Sequence, residues 1–404
     1  MAEPNKTHAD SAVSGVPIEL VELTKRYPGT KSPAVNNVSM SIPAGEIVVL
    51  VGPSGCGKTT TMKMINRLIE PSSGQILLDD ESVMTRNPDE LRRHIGYVIQ
   101  AGGLFPHMTV QTNIATVPRL LGWDRQRISD RVDELLDLVG LDPGQYRGRY
   151  PRELSGGQQQ RVGVARALAA DPPVLLMDEP FGAVDPITRA RLQDELLRLQ
   201  DELHKTIVFV THDFDEAVKL GSRIAVLAEG SRIVQYDTPA EILANPADSS
   251  VAGFVGAGAA LKRLSLERVG ATELDEAVTV AIGGTDADAA EAARQVRAIG
   301  RQHALVLDGR ERPVCWIPLQ ELDRGAPGLA ECEPDRRLES VGSQATLNNA
   351  LDLMLTSSHG VVVVTGRRET YKGVVRVETI MKAIQEMRSD PQAVERSDSG
   401  DADE

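Results

Sequence analysis

The run Ile47-Val48-Val49-Leu50-Val51-Gly52-Pro53-Ser54-Gly55-Cys56-Gly57-Lys58-Thr59-Thr60 decides the fold. Its five leading apolar residues read as a strand buried on both faces, as a parallel sheet requires. The chain then enters a glycine-rich turn and meets Lys58-Thr59, the spacing of a phosphate-binding loop. Glycines there admit positive φ, so backbone N–H groups converge on phosphate oxygens, and a helix starting near Lys58 adds its positive end. Gly52, Pro53, Ser54, Gly55, Cys56 and Gly57 are therefore expected to wrap the phosphates. Lys58 should reach the β- and γ-phosphates, Thr59 should hold Mg²⁺ through its hydroxyl, and Thr60 should donate to the α-phosphate. Cys56 reads as a small residue in a tight turn.

Downstream, Val174 to Met177 is a second apolar strand, ending in Asp178-Glu179-Pro180. Two carboxylates at a strand's carboxyl end beside a phosphate site point to a cation: Asp178 as a Mg²⁺ ligand through water, Glu179 as the general base for an attacking water. His212 follows the strand Ile207 to Val210 and is placed to donate to the γ-phosphate. Gln100, after Tyr97-Val98-Ile99, is a neutral oxygen ligand for Mg²⁺ that can also swing away. Tyr27 offers a flat face for a base. Ile224 to Leu227 reads as a further strand, while Leu192, Leu196, Leu199 and Leu203 mark one face of a helix. Alternating strands and helices make this region α/β, with ligands at the strands' carboxyl ends.

At 404 residues the chain should hold two or three domains. A formal charge of -14 and 3% aromatic content argue against a nucleic-acid partner, because phosphate backbones repel an acidic surface and stacking needs rings. No run of about eighteen apolar residues occurs, and the uncharged stretch from Ser249 to Leu261 is too short to span a bilayer. Residues 1–17 read as a flexible leader without the apolar region of a secretory signal. The cysteines, Cys56, Cys315 and Cys332, show no metal-ligand spacing and no even disulfide framework, as in a reducing compartment.

Beyond an expected linker at 253–265, a weak repeat spans 266–388. Ala289, Ala292, Ala293 and Val296 match Leu347, Ala350, Leu351 and Met354 at an offset of 58, and each set is followed by strand, turn, strand. Residues 389–404 read as a disordered acidic tail, either a solvated appendage or a regulatory one.

Taken together, Tyr27, the loop Gly52 to Thr59, Gln100, Leu154-Ser155-Gly156-Gly157-Gln158, Val174 to Glu179, Ala183-Val184-Asp185 and His212 resemble the ATP-binding subunits of ABC transporters over residues 18 to 252. Val184 stands where leucine is commoner in that family. The resemblance implies a P-loop NTPase with a RecA-like core and a helical subdomain between about Met108 and Ser155. It implies hydrolysis of ATP with Mg²⁺, and a homodimer in which Ser155, Gly156, Gly157, Gln158 and Asp185 of one chain face the nucleotide of the other. It also implies integral membrane permease subunits, docking near Gln100 to Met108, an extracytoplasmic solute-binding protein, and a peripheral place on the cytoplasmic face of the cell membrane.

More narrowly, Gly96 to Gln100, Gly103 to Val110 and Val117 to Trp123 look like the subfamily that imports glycine betaine, choline, carnitine or proline betaine. The C-terminal repeat is similar to the tandem CBS domains of those ATPases, which sense ionic strength or a nucleotide. Two other readings stay open: an importer motor for sugars or polyamines, and a non-transport ABC protein.

Overall fold

The computed structural model describes residues 14–99, 103–256, 258–325, 329 and 338–389. Gln100, most of the expected leader and the expected acidic tail from 390 on lie outside the described residues. The chain divides into two compact units, one made of Met1–Ile242 with Pro246–Phe254, the other of Leu243–Asn245 with Val255–Glu404.

The strands of the first unit are β1 (Ile18–Lys25), β2 (Val35–Ile42), β3 (Ile47–Val51), β4 (Ser73–Leu78), β5 (Glu81–Ser82), β6 (Ile95–Val98), β7 (Val174–Asp178), β8 (Thr206–Thr211), β9 (Arg223–Leu227) and β10 (Ile233–Asp237). β2-β1-β4-β5 form an antiparallel sheet, and β10-β9-β3-β8-β7-β6 form a sheet that is parallel except at β10. Every residue of β3, β7 and β8 is buried, which explains the continuous apolar runs in the sequence. Both sheets share one core that includes Leu20, Ile76, Leu50, Leu176 and Val208. Each such fully buried side chain contributes roughly 1.5–3 kcal/mol of transfer free energy.

The register of the parallel sheet is what builds a site. Val51 of β3 pairs with Thr211 of β8, and Asp178 of β7 pairs with Val210 of the same strand. The glycine loop, the two carboxylates and His212 therefore leave the sheet at one edge. Between β6 and β7 the described residues form helices, among them Val110–Ile114, Arg125–Leu138 and Gly156–Leu168. The leucine stripe lies on helix Pro186–Leu203, with Leu192 and Leu196 buried and the last two leucines only half-buried.

The second unit contains two three-stranded sheets of the same topology. β11 (Thr279–Ala281) runs parallel to β12 (His303–Leu307), which is antiparallel to β13 (Pro313–Pro318). β14 (Ser340–Gly342), β15 (Val361–Thr365) and β16 (Tyr371–Arg376) repeat that pattern. The helices between the first two strands, Asp286–Ala298 and Leu347–Thr356, both open with a capping box, Thr285 with Asp288 and Thr346 with Asn349. Leu305 and Trp316 pack with Val361, Val363 and Val374, joining the two halves in one cluster.

Two expectations change. The capping threonines are 61 positions apart, whereas the strands that follow are 58 apart, so Ala289 corresponds to Ala350 rather than to Leu347. A three-residue slip along a helix preserves an apolar stripe, which is why the sequence pattern tolerated the wrong alignment. The stretch expected as a linker, 253–265, holds the end of helix Ser249–Val255 and helix Ala259–Arg263. Cys56 is free and buried, but Cys315 is disulfide-bonded, against the expectation of reduced cysteines.

Candidate functional site

The phosphate loop turns sharply at Gly55 and Gly57, whose φ values of 81° and 113° lie in the left-handed region that favours glycine. A Cβ on Gly57 would also lie 2.0 Å from Ser231 Oγ. The Ser231 hydroxyl and N–H both donate to the Cys56 carbonyl, at 2.9 and 2.6 Å, so the turn Glu229–Ser231 braces the loop from behind. Helix Lys58–Ile65 starts directly after Gly57. Lys58 is 7% exposed, and its Nζ donates to the carbonyls of Gly52 and Pro53 at 2.7 and 3.0 Å. Pro53, Ser54 and Gly55 are exposed, and Thr59 and Thr60 are half-buried.

Thr59 Oγ1 donates to Asp178 Oδ1 across 3.1 Å. Asp178 is buried, and burial pushes its carboxyl pKa up against the opposing effect of the Thr59 hydrogen bond. Burial, with Asp178 adding to it, pushes the Tyr97 hydroxyl up to about 12, so it stays a neutral neighbour. A hydroxyl and a carboxylate at this spacing are hard oxygen donors, and they fit a Mg²⁺ ion that keeps several waters.

Glu179 leaves β7 at φ 46°, a left-handed conformation uncommon for a non-glycine residue, and its N–H donates to the Val210 carbonyl at 3.0 Å. Its Oε1 lies 3.1 Å from Nδ1 of the largely exposed His212. Tyr27 is exposed, with Lys25 Nζ 5.4 Å from its ring centroid.

Ser155 caps helix Gly156–Leu168 in a capping box with Gln158, accepting from the Gln158 N–H at 3.3 Å. The Gln158 side chain is engaged inside the chain: Oε1 accepts from the Ser155 N–H, and Nε2 donates to the Tyr146 hydroxyl. Ser155 and Gly156 are exposed and Gly157 is half-buried. Asp185 caps helix Pro186–Leu203 by accepting from the Thr188 N–H at 3.0 Å, the bond that most depresses its pKa.

Sequence reasoning missed several supporting residues. Asn113, fully buried, accepts from the Phe105 N–H and donates to the Phe105 and Met108 carbonyls, fixing a segment that exposes the Phe105 ring. Arg166 donates to the Gly103 carbonyl at 2.6 Å. Gln160 donates to the Glu179 carbonyl and accepts from the Ala183 N–H, spanning Pro180-Phe181-Gly182. Arg166 and Gln160 reach backbone groups distant in sequence, Asn113 reaches back to nearby Phe105 and Met108, and no helix or strand spacing marks any of these contacts.

The second unit has a cavity of about 450 Å³ lined by Arg301, His303, Trp316, His359, Arg376 and Glu378, among others. Trp316 Nε1 is buried there without a hydrogen-bond partner among the described residues, and Arg376 is 8% exposed. Burial, and then the neighbouring His359, pushes the His303 pKa down.

A glycine loop after a buried strand, a hydroxyl–carboxylate pair at the next strand edge and a carboxylate beside it define a P-loop nucleotide hydrolase. The ABC transporter family model matches residues 35–182. The chain is 56% identical to the choline transport ATP-binding protein OpuBA of Bacillus subtilis (strain 168), over 69% of this chain and 73% of that protein. It is 54% identical to the glycine betaine/carnitine/choline transport ATP-binding protein OpuCA of the same organism, over 76% of this chain and 80% of that protein. Among solved structures, the dimeric MJ0796, a bacterial ABC transporter cassette, matches with a TM-score of 0.51 and 35% identity, over 55% of this chain and 98% of that one. This chain belongs to the ABC transporter family as an ATP-binding, ATP-hydrolysing subunit.

Proposed function

We propose that this chain is the ATPase of an importer for quaternary-amine osmoprotectants such as glycine betaine, choline and carnitine, coupling hydrolysis to uptake. The observation that carries the reading is the identity above 50% with proteins named for transport of those solutes, extending past the cassette in the longer match. A sugar or polyamine importer is disfavoured because the second unit is built of helices and three-stranded sheets rather than a β-barrel.

In this reading residues 18–252 form the cassette and 266–388 a CBS-like regulatory module, whose cavity at Trp316 and Arg376 would receive the regulatory ligand. Gly52 to Gly57 and Thr60 hold phosphate oxygens, Lys58 pairs with the β- and γ-phosphates, and Tyr27 stacks on adenine. Thr59 and Asp178, with Gln100, would hold Mg²⁺, which neutralises charge on the phosphate oxygens. Glu179 accepts a proton from the attacking water, while His212 orients that carboxylate and faces the γ-phosphate.

Two copies close on the nucleotide, with Ser155, Gly156, Gly157, Gln158 and Asp185 presented to the opposite phosphate loop. The exposed helix start at Ser155 and the dimeric relative support this. Among the described residues no helix is long and apolar enough to cross a membrane. By its likeness to ATP-binding subunits of importers, we place the chain peripherally on the cytoplasmic face, held by permease subunits at the Phe105 segment, with a solute-binding protein outside. The test is copurification with those subunits and measurement of which solute stimulates hydrolysis. Stimulation by a sugar, and by no quaternary amine, would overturn the assignment.

A further inference from the structure

Gln160 sits in helix Gly156–Leu168, the helix that Ser155 caps, and is 5% exposed. Its Nε2 donates to the Glu179 carbonyl at 2.8 Å, and its Oε1 accepts from the Ala183 N–H at 3.0 Å. The Glu179 carbonyl also accepts from the Gly182 N–H at 3.2 Å, so one side-chain amide spans the turn that begins at Glu179. Glu179 itself stands at φ 46°, a conformation a non-glycine residue keeps only where its surroundings hold it.

We propose that Gln160 is a positioning residue for Glu179. By holding the Glu179 carbonyl it fixes the backbone from which the carboxylate reaches 3.1 Å to His212. Through Ala183 it ties that geometry to the segment leading to Asp185, and through its own helix to Ser155. Only an amide supplies both halves. An isosteric glutamate would set a carboxylate oxygen against the Glu179 carbonyl, and methionine would leave a buried carbonyl one bond short and the Ala183 N–H without an acceptor. The inference rests on Glu179 acting as the base.

The experiment measures ATP hydrolysis by the full chain for wild type, Q160M, Q160E and E179Q, with active sites counted by titration with a fluorescent ATP analogue. Expected is a kcat per site lowered about 10- to 100-fold in both Gln160 variants, the scale of a small misplacement of a reacting group, with the KM for ATP within about twofold of wild type. Q160M added to E179Q should lower the residual rate no further, because the two act on one group. If Q160M and Q160E keep the wild-type kcat per site while E179Q is inactive, Glu179 remains the base and the positioning role is wrong. A loss of binding sites at unchanged kcat per site would mean that Gln160 only supports folding, which also overturns it. Wild-type turnover in E179Q would remove Glu179 from the base role and the proposal with it.

Discussion

Thr59 and Asp178 lie 119 positions apart and meet through a 3.1 Å hydrogen bond from hydroxyl to carboxylate. That bond joins the end of the phosphate loop to the end of β7, which β8 separates from β3 in the sheet, and it makes the cation site a property of the sheet register. Replacing Thr59 with alanine should raise the Mg²⁺ concentration needed for half-maximal hydrolysis by about 10-fold or more, since losing a ligand costs at least as much as losing an outer-shell partner of one. A Mg²⁺ titration at saturating ATP checks this, and an unchanged midpoint would remove Thr59 from the metal site.

Burial raises the Asp178 pKa, so in the folded nucleotide-free chain its ionised form carries a desolvation penalty. Above the raised pKa that penalty is present in full; as pH falls through it the folded state takes up a proton ahead of the unfolded one, and stability is regained relative to a neutral side chain. Asp178→Asn should therefore raise the melting temperature at pH 7 by about 2–4 °C, the shift that about 1 kcal/mol produces in a domain of this size. The gain should shrink toward pH 4. Melting curves across that range decide it, and a gain that grows on acidification would contradict the sign.

Glu179→Gln preserves shape and removes basicity, so ATP binding should persist while hydrolysis falls by about 10²-fold or more. Light scattering with and without ATP should then show a trapped dimer. Wild-type turnover in this variant would leave the carboxylate without its chemical role.

The exposed helix start at Ser155 leads to a different expectation. Ser155→Arg should reduce turnover severely while leaving ATP binding to the isolated chain near the wild-type level, because the altered side chain faces the neighbour's nucleotide. Mixing it with a phosphate-loop variant, Lys58→Ala, should restore at most one working site per dimer. Undiminished turnover in Ser155→Arg alone would remove the shared site.

Truncation after Met387 should leave basal hydrolysis intact and alter its response to salt in the membrane complex. Identical salt curves for full-length and truncated complexes would leave the tail a solvated appendage.

The cassette was legible because its chemistry is written in short local runs. Ile47 to Thr60 encodes strand, turn and helix start within fourteen residues, and Val174 to Glu179 encodes a buried strand with carboxylates at its end. The structure places Tyr27, Lys58, Thr59, Asp178, Glu179, Ser155, Asp185 and His212 all in the first unit. Gln160 and Ser231 were not legible, since each acts through a backbone group distant in sequence, and Asn113 was not, since its bonds to Phe105 and Met108 follow no helix or strand spacing. The repeat was visible as a pattern and misaligned by three residues, because an apolar stripe looks the same after nearly one turn.

By itself, then, the order of residues determined which segments become buried strands, where the chain must turn tightly around phosphate, and which groups can bind a cation or accept a proton. Backbone sterics, burial and side-chain chemistry are local, and they need no partner to be read. Tertiary structure alone decided that Val51, Thr211 and Asp178 end at one sheet edge, that Glu179 is held at a left-handed turn by an amide from another helix, and that the Cys56 carbonyl rests on Ser231. Those relations follow from strand register and long-range hydrogen bonds, which many sequences with the same local pattern would arrange differently.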